Sequence, residues 1–265
     1  MTKAGEVIAA RLACRRGLAS AGHQQAGAEL FTYLLAFAIV ALGTSVQSSV
    51  GFGANLIAMP MIALFAPELV PGASLFAISA MNVMMLVRDR KGIEFGPVSN
   101  ALIGRVGGTI AGALVIGALS DRGLRIVIAL AVLAMVVISS VTTAPRRTRP
   151  NMIVAGTVSG FGAVTAGIGG PPVALMFQSA EGKQIRGSMG GFFVVGTAMT
   201  LVGLAIAGEF GLYELKWGAL LVPAAVVGFV LSRYLIPIVD RGYTRPAILS
   251  LSAASAIVLL ARALL

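Results

Sequence analysis

The sequence predicts an all-α, polytopic membrane protein with about eight transmembrane helices and two broken, re-entrant half-helices, arranged in two homologous halves. Three observations predict it. Of the 265 residues, 57% are hydrophobic and only 11% are charged, with 33 glycines besides and a mean hydropathy of +0.93. Soluble domains hold about 45–50% apolar residues with glycine included and about 25% charged. Apolar stretches fill nearly the whole chain at lengths close to the roughly 20 residues that one helical crossing needs. Their order also repeats once.

The elements follow in chain order. Residues 1–28 form a basic arm with Lys3, Arg11, Arg15 and Arg16 against Glu6. It reads as a partly disordered segment or an amphipathic surface helix. The first apolar stretch starts near Leu30 and runs longer than the roughly 7–15 residues of a signal h-region, so the arm is not expected to be a cleaved signal. Apolar segments then follow at 30–50, 53–66, 72–87, 97–119 and 124–144, and at 151–166, 171–179, 185–208, 215–237 and 245–264. Segments 53–66 and 171–179 are too short to cross. Each is entered through a glycine cluster, Gly51-Phe52-Gly53-Ala54-Asn55 and Gly167-Ile168-Gly169-Gly170-Pro171-Pro172. Glycine accepts backbone angles closed to other residues, and proline opens a new helix, so both clusters predict a helix break at membrane depth.

The duplication rests on two matches in register. Gly51 pairs with Gly167 at a spacing of 116 residues, and Asp121-Arg122-Gly123 with Asp240-Arg241-Gly242 at 119. Both triplets read as tight turns with a local charge pair. The expected organisation is therefore an arm (1–28), a first repeat (29–144), a basic linker (145–150) and a second repeat (151–265). Basic residues in the arm, at 88–91 and at 146–149 place these three segments together on the cytoplasmic side. With each short piece re-entrant, that makes the halves parallel; full crossing by both short pieces would make them inverted.

The charge and residue inventory excludes several classes of function. A net charge of +10 suits a nucleic-acid binder or basic cytoplasmic loops, and the composition selects the loops, so no nucleic-acid partner is expected. With Cys14 and His23 the only cysteine and histidine, both in the arm, a disulfide framework and a Cys/His metal site are excluded, and no cofactor is implied. The groups of an intramembrane protease are missing. All ten acidic residues fall in the arm, in loops or at segment ends, so a buried carboxylate relay is absent as well.

The polar residues within the apolar segments are hydroxyls, amides and two arginines. A half-helix N-terminus carries about half a positive charge and free N–H groups, so two such breaks meeting near the midplane describe an anion site. The backbone of Gly51, Gly53, Gly167, Gly169 and Gly170 is the expected cradle, with Ser48, Ser49, Asn55, Asn82 and Thr165 as side-chain donors. Arg105 and Arg233 read as snorkelling cations, with Arg105 alternatively the charge partner of the anion. Ser and Thr within a span also commonly bond to their own helix. Gly104, Gly107, Gly108 and Gly112 read as a close-packing face, and Tyr213 and Trp217 as an interface belt.

The duplicated pattern Gly51-x-Gly53 with Pro60, and Gly167-x-Gly169-Gly170-Pro171, resembles the sulfite exporter TauE/SafE family, also called the toluenesulfonate uptake permease group. Gly72-Ala73-Ser74 and Arg186-Gly187-Ser188 at the heads of the next segments extend the resemblance, which covers about residues 30–264. It implies a small bacterial inner-membrane carrier with two homologous halves, associated with sulfite, sulfonates, sulfoacetate and related anions. The function expected on both grounds is secondary transport of a small sulfur oxyanion or organosulfonate by alternating access, with the anion and membrane lipid as partners and room for a homodimer. The alternative is a non-transporting membrane subunit that recruits a partner through its basic arm.

Overall fold

The computed structural model describes residues 30–62, 65–66, 69, 71–115, 145–166, 169–206 and 210–243, with scattered positions from 246 to 261. Every regular element among them is helical. In chain order these are α1 (Leu30–Val50), α2 (Ala54–Ile62), α3 (Gly72–Asp89), α4 (Phe95–Val115), α5 (Arg149–Ala166), α6 (Gly170–Met176), α7 (Gly182–Ile206) and α8 (Leu212–Ile238). Three described helices are long and apolar enough to cross a membrane: Leu30–Val50, Gly182–Ala205 and Leu212–Tyr243. The expected segments 124–144 and 245–264, and the triplet at 121–123, lie outside the described residues or are described only at scattered positions.

Both expected breaks fall between helices. Gly51 and Gly53 have φ of +110° and +123°, in the left-handed region that side chains other than glycine rarely enter. They reverse the chain, and the Ala54 N–H then donates to Gln47 Oε1 of α1 at 2.9 Å. A Cβ on Gly43 would sit 3.0 Å from the Ala54 carbonyl, so the start of α2 lies back against α1. In the second break α6 leads back toward the start of α5, where Arg147 stacks 5.2 Å above the Phe177 ring.

Contacts between helices fix their directions. On α1 and α8, Tyr33 meets the Leu220 carbonyl and Thr44 faces Gly228, so the two run parallel. On α3 and α8, Gly72 faces Glu214 and Arg88 bonds Ser232, also parallel. In contrast, α3 and α7 are antiparallel, with Asn82 against Thr197 and Asp89 against Arg186. Helix α4 runs parallel to both α5 and α7. Thus α1, α3 and α8 point one way, and α4, α5 and α7 the other.

This corrects the parallel arrangement expected from the basic loops. The 88–91 loop and Arg147 do share one end, tied by Arg147 to Glu94 at 3.0 Å, but α1 begins at the opposite end. Counting charges assigned α1 a full crossing with α2 re-entrant from the far side. Instead, the turn at Gly51 and Gly53 sends α2 back toward the end from which α1 came.

The shared end carries a cluster of paired charges, with Arg186 and Asp89 buried and Asp240 exposed. Arg186 grips Asp240 through a two-pronged contact at 2.7 and 3.0 Å, reaches Asp89 at 3.5 Å and donates to the Ser49 carbonyl at 3.2 Å. Arg88 bonds Asp89 at 2.8 Å and the Ser48 carbonyl at 2.6 Å. Two cations at the last carbonyls of α1 complement its dipole. The expected local pair within Asp240-Arg241-Gly242 is therefore replaced by a pairing across 54 residues, in which the Arg186 fork meets both oxygens of the Asp240 carboxylate. The turn itself is present, with Gly242 at φ +116°.

Glycines set the spacing of α4 and α5. A Cβ on Gly104 would strike the Ile153 carbonyl and one on Gly108 the Thr157 carbonyl, while Gly107 faces open space. Gly108→Val is therefore expected to lower stability by about 1–3 kcal/mol, the usual range for overpacking, and Gly107→Val to leave it unchanged. Thermal unfolding of the two variants in detergent checks the contrast.

Candidate functional site

A cavity of about 40 Å³ lies where the two breaks converge. At roughly 10–15 Å³ of such space per water, it holds about three waters or one small polyatomic ion. Gly53 and Asn55 line it from the first break, and Gly169 and Gly170 from the second. Gln47 of α1, Asn82 of α3, Arg105 of α4, and Thr197 and Thr200 of α7 supply its polar wall. Phe52, Leu56, Leu75, Ile78 and Phe193 make the remainder apolar.

A chain of amides joins the first break to α7. Gln47 accepts the Ala54 N–H and donates to Asn82 Oδ1 at 2.7 Å, and Asn82 donates to Thr197 Oγ1 at 3.4 Å. Each amide is thereby oriented at both ends. The Thr197 hydroxyl accepts at the end of this chain and lines the cavity.

Arg105 decides the electrostatics. It is 4% exposed, so the snorkelling reading is overturned. Ten residues into α4 its side chain turns inward, because Gly196 leaves room: a Cβ there would lie 2.5 Å from Nε and 2.6 Å from Cζ. The guanidinium stacks 5.0 Å above the Phe192 ring and donates to Ser159 Oγ at 3.2 Å, the Gly196 carbonyl at 3.3 Å and Thr200 Oγ1 at 3.5 Å. Its Nε has no partner, and among the described residues it has no salt bridge to a carboxylate. An uncompensated buried cation costs several kcal/mol. Neutral acceptors and one ring contact, worth about 0.5–2 kcal/mol, offset part of that.

The other expected site residues separate into two groups. Gly53, Asn55, Asn82, Gly169 and Gly170 line the cavity with Arg105. Gly51 instead packs against Ile185 and Met189. Ser49 Oγ bonds the Ser45 and Val46 carbonyls of its own helix, and Ser48 is buried outside the lining with an unpartnered hydroxyl. Gly167 and the Thr165 side chain lie outside the described residues. The second break is also poorer in donors than expected, since Pro171 and Pro172 bring no N–H to the first turn of α6, and the Gly169 carbonyl accepts from Ser159. Gln47, Ser159, Gly196, Thr197 and Thr200 were not among the expected site residues. Gln47 sits one turn before the break at Gly51, and Thr197 and Thr200 lie three residues apart on one face of α7, spacings that could have singled them out; nothing local distinguishes Gly196 from the other glycines of α7.

Helices of membrane-crossing length around a buried polar cavity define a membrane protein with an internal site. The chain belongs to the sulfite exporter TauE/SafE family: the model of that family, described as Sulfite exporter TauE/SafE, matches residues 35–259, most of the chain. The family is one of membrane transporters of sulfur compounds. No curated protein and no solved structure matches the chain.

Proposed function

We propose that the protein is a secondary transporter that carries a small anion, a sulfur oxyanion or organosulfonate such as sulfite or sulfoacetate, across the bacterial inner membrane. The observation that carries this reading is Arg105, a buried guanidinium without a carboxylate partner among the described residues, lining a cavity between two helix breaks. An anion there meets the free Arg105 Nε and the Thr197 hydroxyl, and the N-terminus of α2 adds a favourable dipole. Gly53, Asn55, Asn82, Gly169, Gly170 and Arg105 are the binding residues on this reading, with Gly51, Ser48 and Ser49 shaping the break behind them. No acid or base from the protein is required, and the reading assigns no catalysis.

Transport follows from two repeats, about 29–144 and 151–265, arranged as inverted halves of a multi-pass protein with about eight crossings. The matched helices α1 and α5, α3 and α7, and α4 and α8 run in opposite directions, and rocking of inverted halves about a central site exposes it to each side in turn. Exposed apolar side chains such as Leu114 and Tyr234 face lipid. The anion and lipid are the partners, nucleic acid has no role, and a homodimer is compatible with the arrangement. Purified protein in proteoliposomes is expected to show saturable sulfite counterflow, with sulfoacetate, taurine and thiosulfate ranked by competition. A variant lacking residues 1–28 is expected to keep that flux. Absence of flux for every one of these compounds overturns the reading.

A further inference from the structure

We infer that the cavity takes its ligand as a singly charged anion, so that an oxyanion with two ionisations enters only in its protonated form. This rests on the reading of the cavity as an anion site. Three observations carry it. Among the described residues, Arg105 is the only formal charge in the lining; the other side chains there are amides, hydroxyls or apolar groups. The cations at the 88–91 end of the bundle, Arg88 and Arg186, are paired with Asp89 and Asp240, a balanced group of two positive and two negative charges. They lend the cavity no net charge. A dianion would therefore leave one negative charge without a counter-charge in the lining, and an anion of four or five heavy atoms fills most of a cavity of about 40 Å³ and leaves little room beside it for water.

The third observation is an acceptor. Asn55 lines the cavity, and its Oδ1 is buried without any donor among the described residues. A fully ionised oxyanion has no proton to offer it. A protonated one satisfies Asn55 with its O–H while its ionised oxygens face Arg105 and Thr197. The proton then crosses on the ligand, no bond to it is made or broken, and the missing carboxylate relay is not needed.

Competition against labelled sulfite in proteoliposomes tests this, using methanesulfonate, singly charged throughout, and sulfate, doubly charged throughout. Methanesulfonate is expected to compete equally well across neutral and mildly alkaline pH. Sulfite's apparent affinity is expected to fall about tenfold per pH unit above its second ionisation, and sulfate is expected not to compete. Sulfate competing as well as methanesulfonate, or sulfite affinity that stays flat or rises with pH, overturns the single-charge inference and leaves the anion site standing. No competition by any anion, together with no sulfite uptake, overturns both.

Discussion

Arg105→Met is expected to abolish sulfite flux and weaken anion binding about 100- to 1,000-fold, the largest effect of any single substitution. Truncating one partner of a buried, hydrogen-bonded charge pair costs about 2–5 kcal/mol, and every 1.4 kcal/mol is about a factor of ten in affinity. The sign of the stability change separates a ligand-binding arginine from a structural one. A cation whose main task is to hold Ser159 and Thr200 together would leave a less stable protein when removed. Among the described residues Arg105 lacks a carboxylate partner and has a free Nε, so methionine, similar in length and apolar, relieves its desolvation cost and is expected to hold or raise the unfolding temperature. Binding measured by calorimetry and unfolding followed in the same detergent give both readouts. Arg105→Lys keeps the charge but not the fork, and is expected to retain weakened binding. Loss of stability with unchanged binding would reassign Arg105 to the scaffold.

Gly53→Val is expected to remove flux as well, through the backbone. At φ +123° a β-branched residue carries about 1–3 kcal/mol of strain, and its relief moves the start of α2, with Asn55 and the Ala54–Gln47 contact, out of the cavity wall. Gly169→Val reaches the same end by another route. Its φ of −117° suits any residue, but a Cβ there lies 2.8 Å from the Ser159 carbonyl and 3.1 Å from Arg105 Nη1. Alanine is expected to rescue neither position: at Gly53 the strain is in the backbone itself, and at Gly169 the Cβ alone already meets the Ser159 backbone carbonyl. Circular dichroism should show helix content preserved in all four, and flux restored by alanine at either position would contradict the role given to that glycine.

Much of the fold is legible in the residues. Hydropathy marks α1, α3, α7 and α8, and the Gly51–Gly53 and Gly169–Gly170 clusters mark the breaks, because glycine's conformational freedom and the apolar length of a crossing are local properties. Charge counting put the start of α1 and the 88–91 loop at one end, whereas α1 and α3 run parallel and place them at opposite ends. The site was legible in part. Asn55 and Asn82 can be picked out as amides in apolar segments, whereas Ser49 has the same polarity and spends it on its own helix, and no pattern within one helix tells the two cases apart.

What the sequence determined by itself is the material: apolar helices, two breakable points and polar groups that are donors rather than acids. Its physical basis is transfer free energy and backbone sterics, which add up residue by residue. The tertiary structure decided where those groups point. Gly196 on α7 opens the space into which Arg105 of α4 turns, and Asn82 and Thr197 meet only because α3 and α7 run antiparallel. Such contacts depend on distances between helices far apart in the chain, and those distances are set by packing rather than by any one segment's composition.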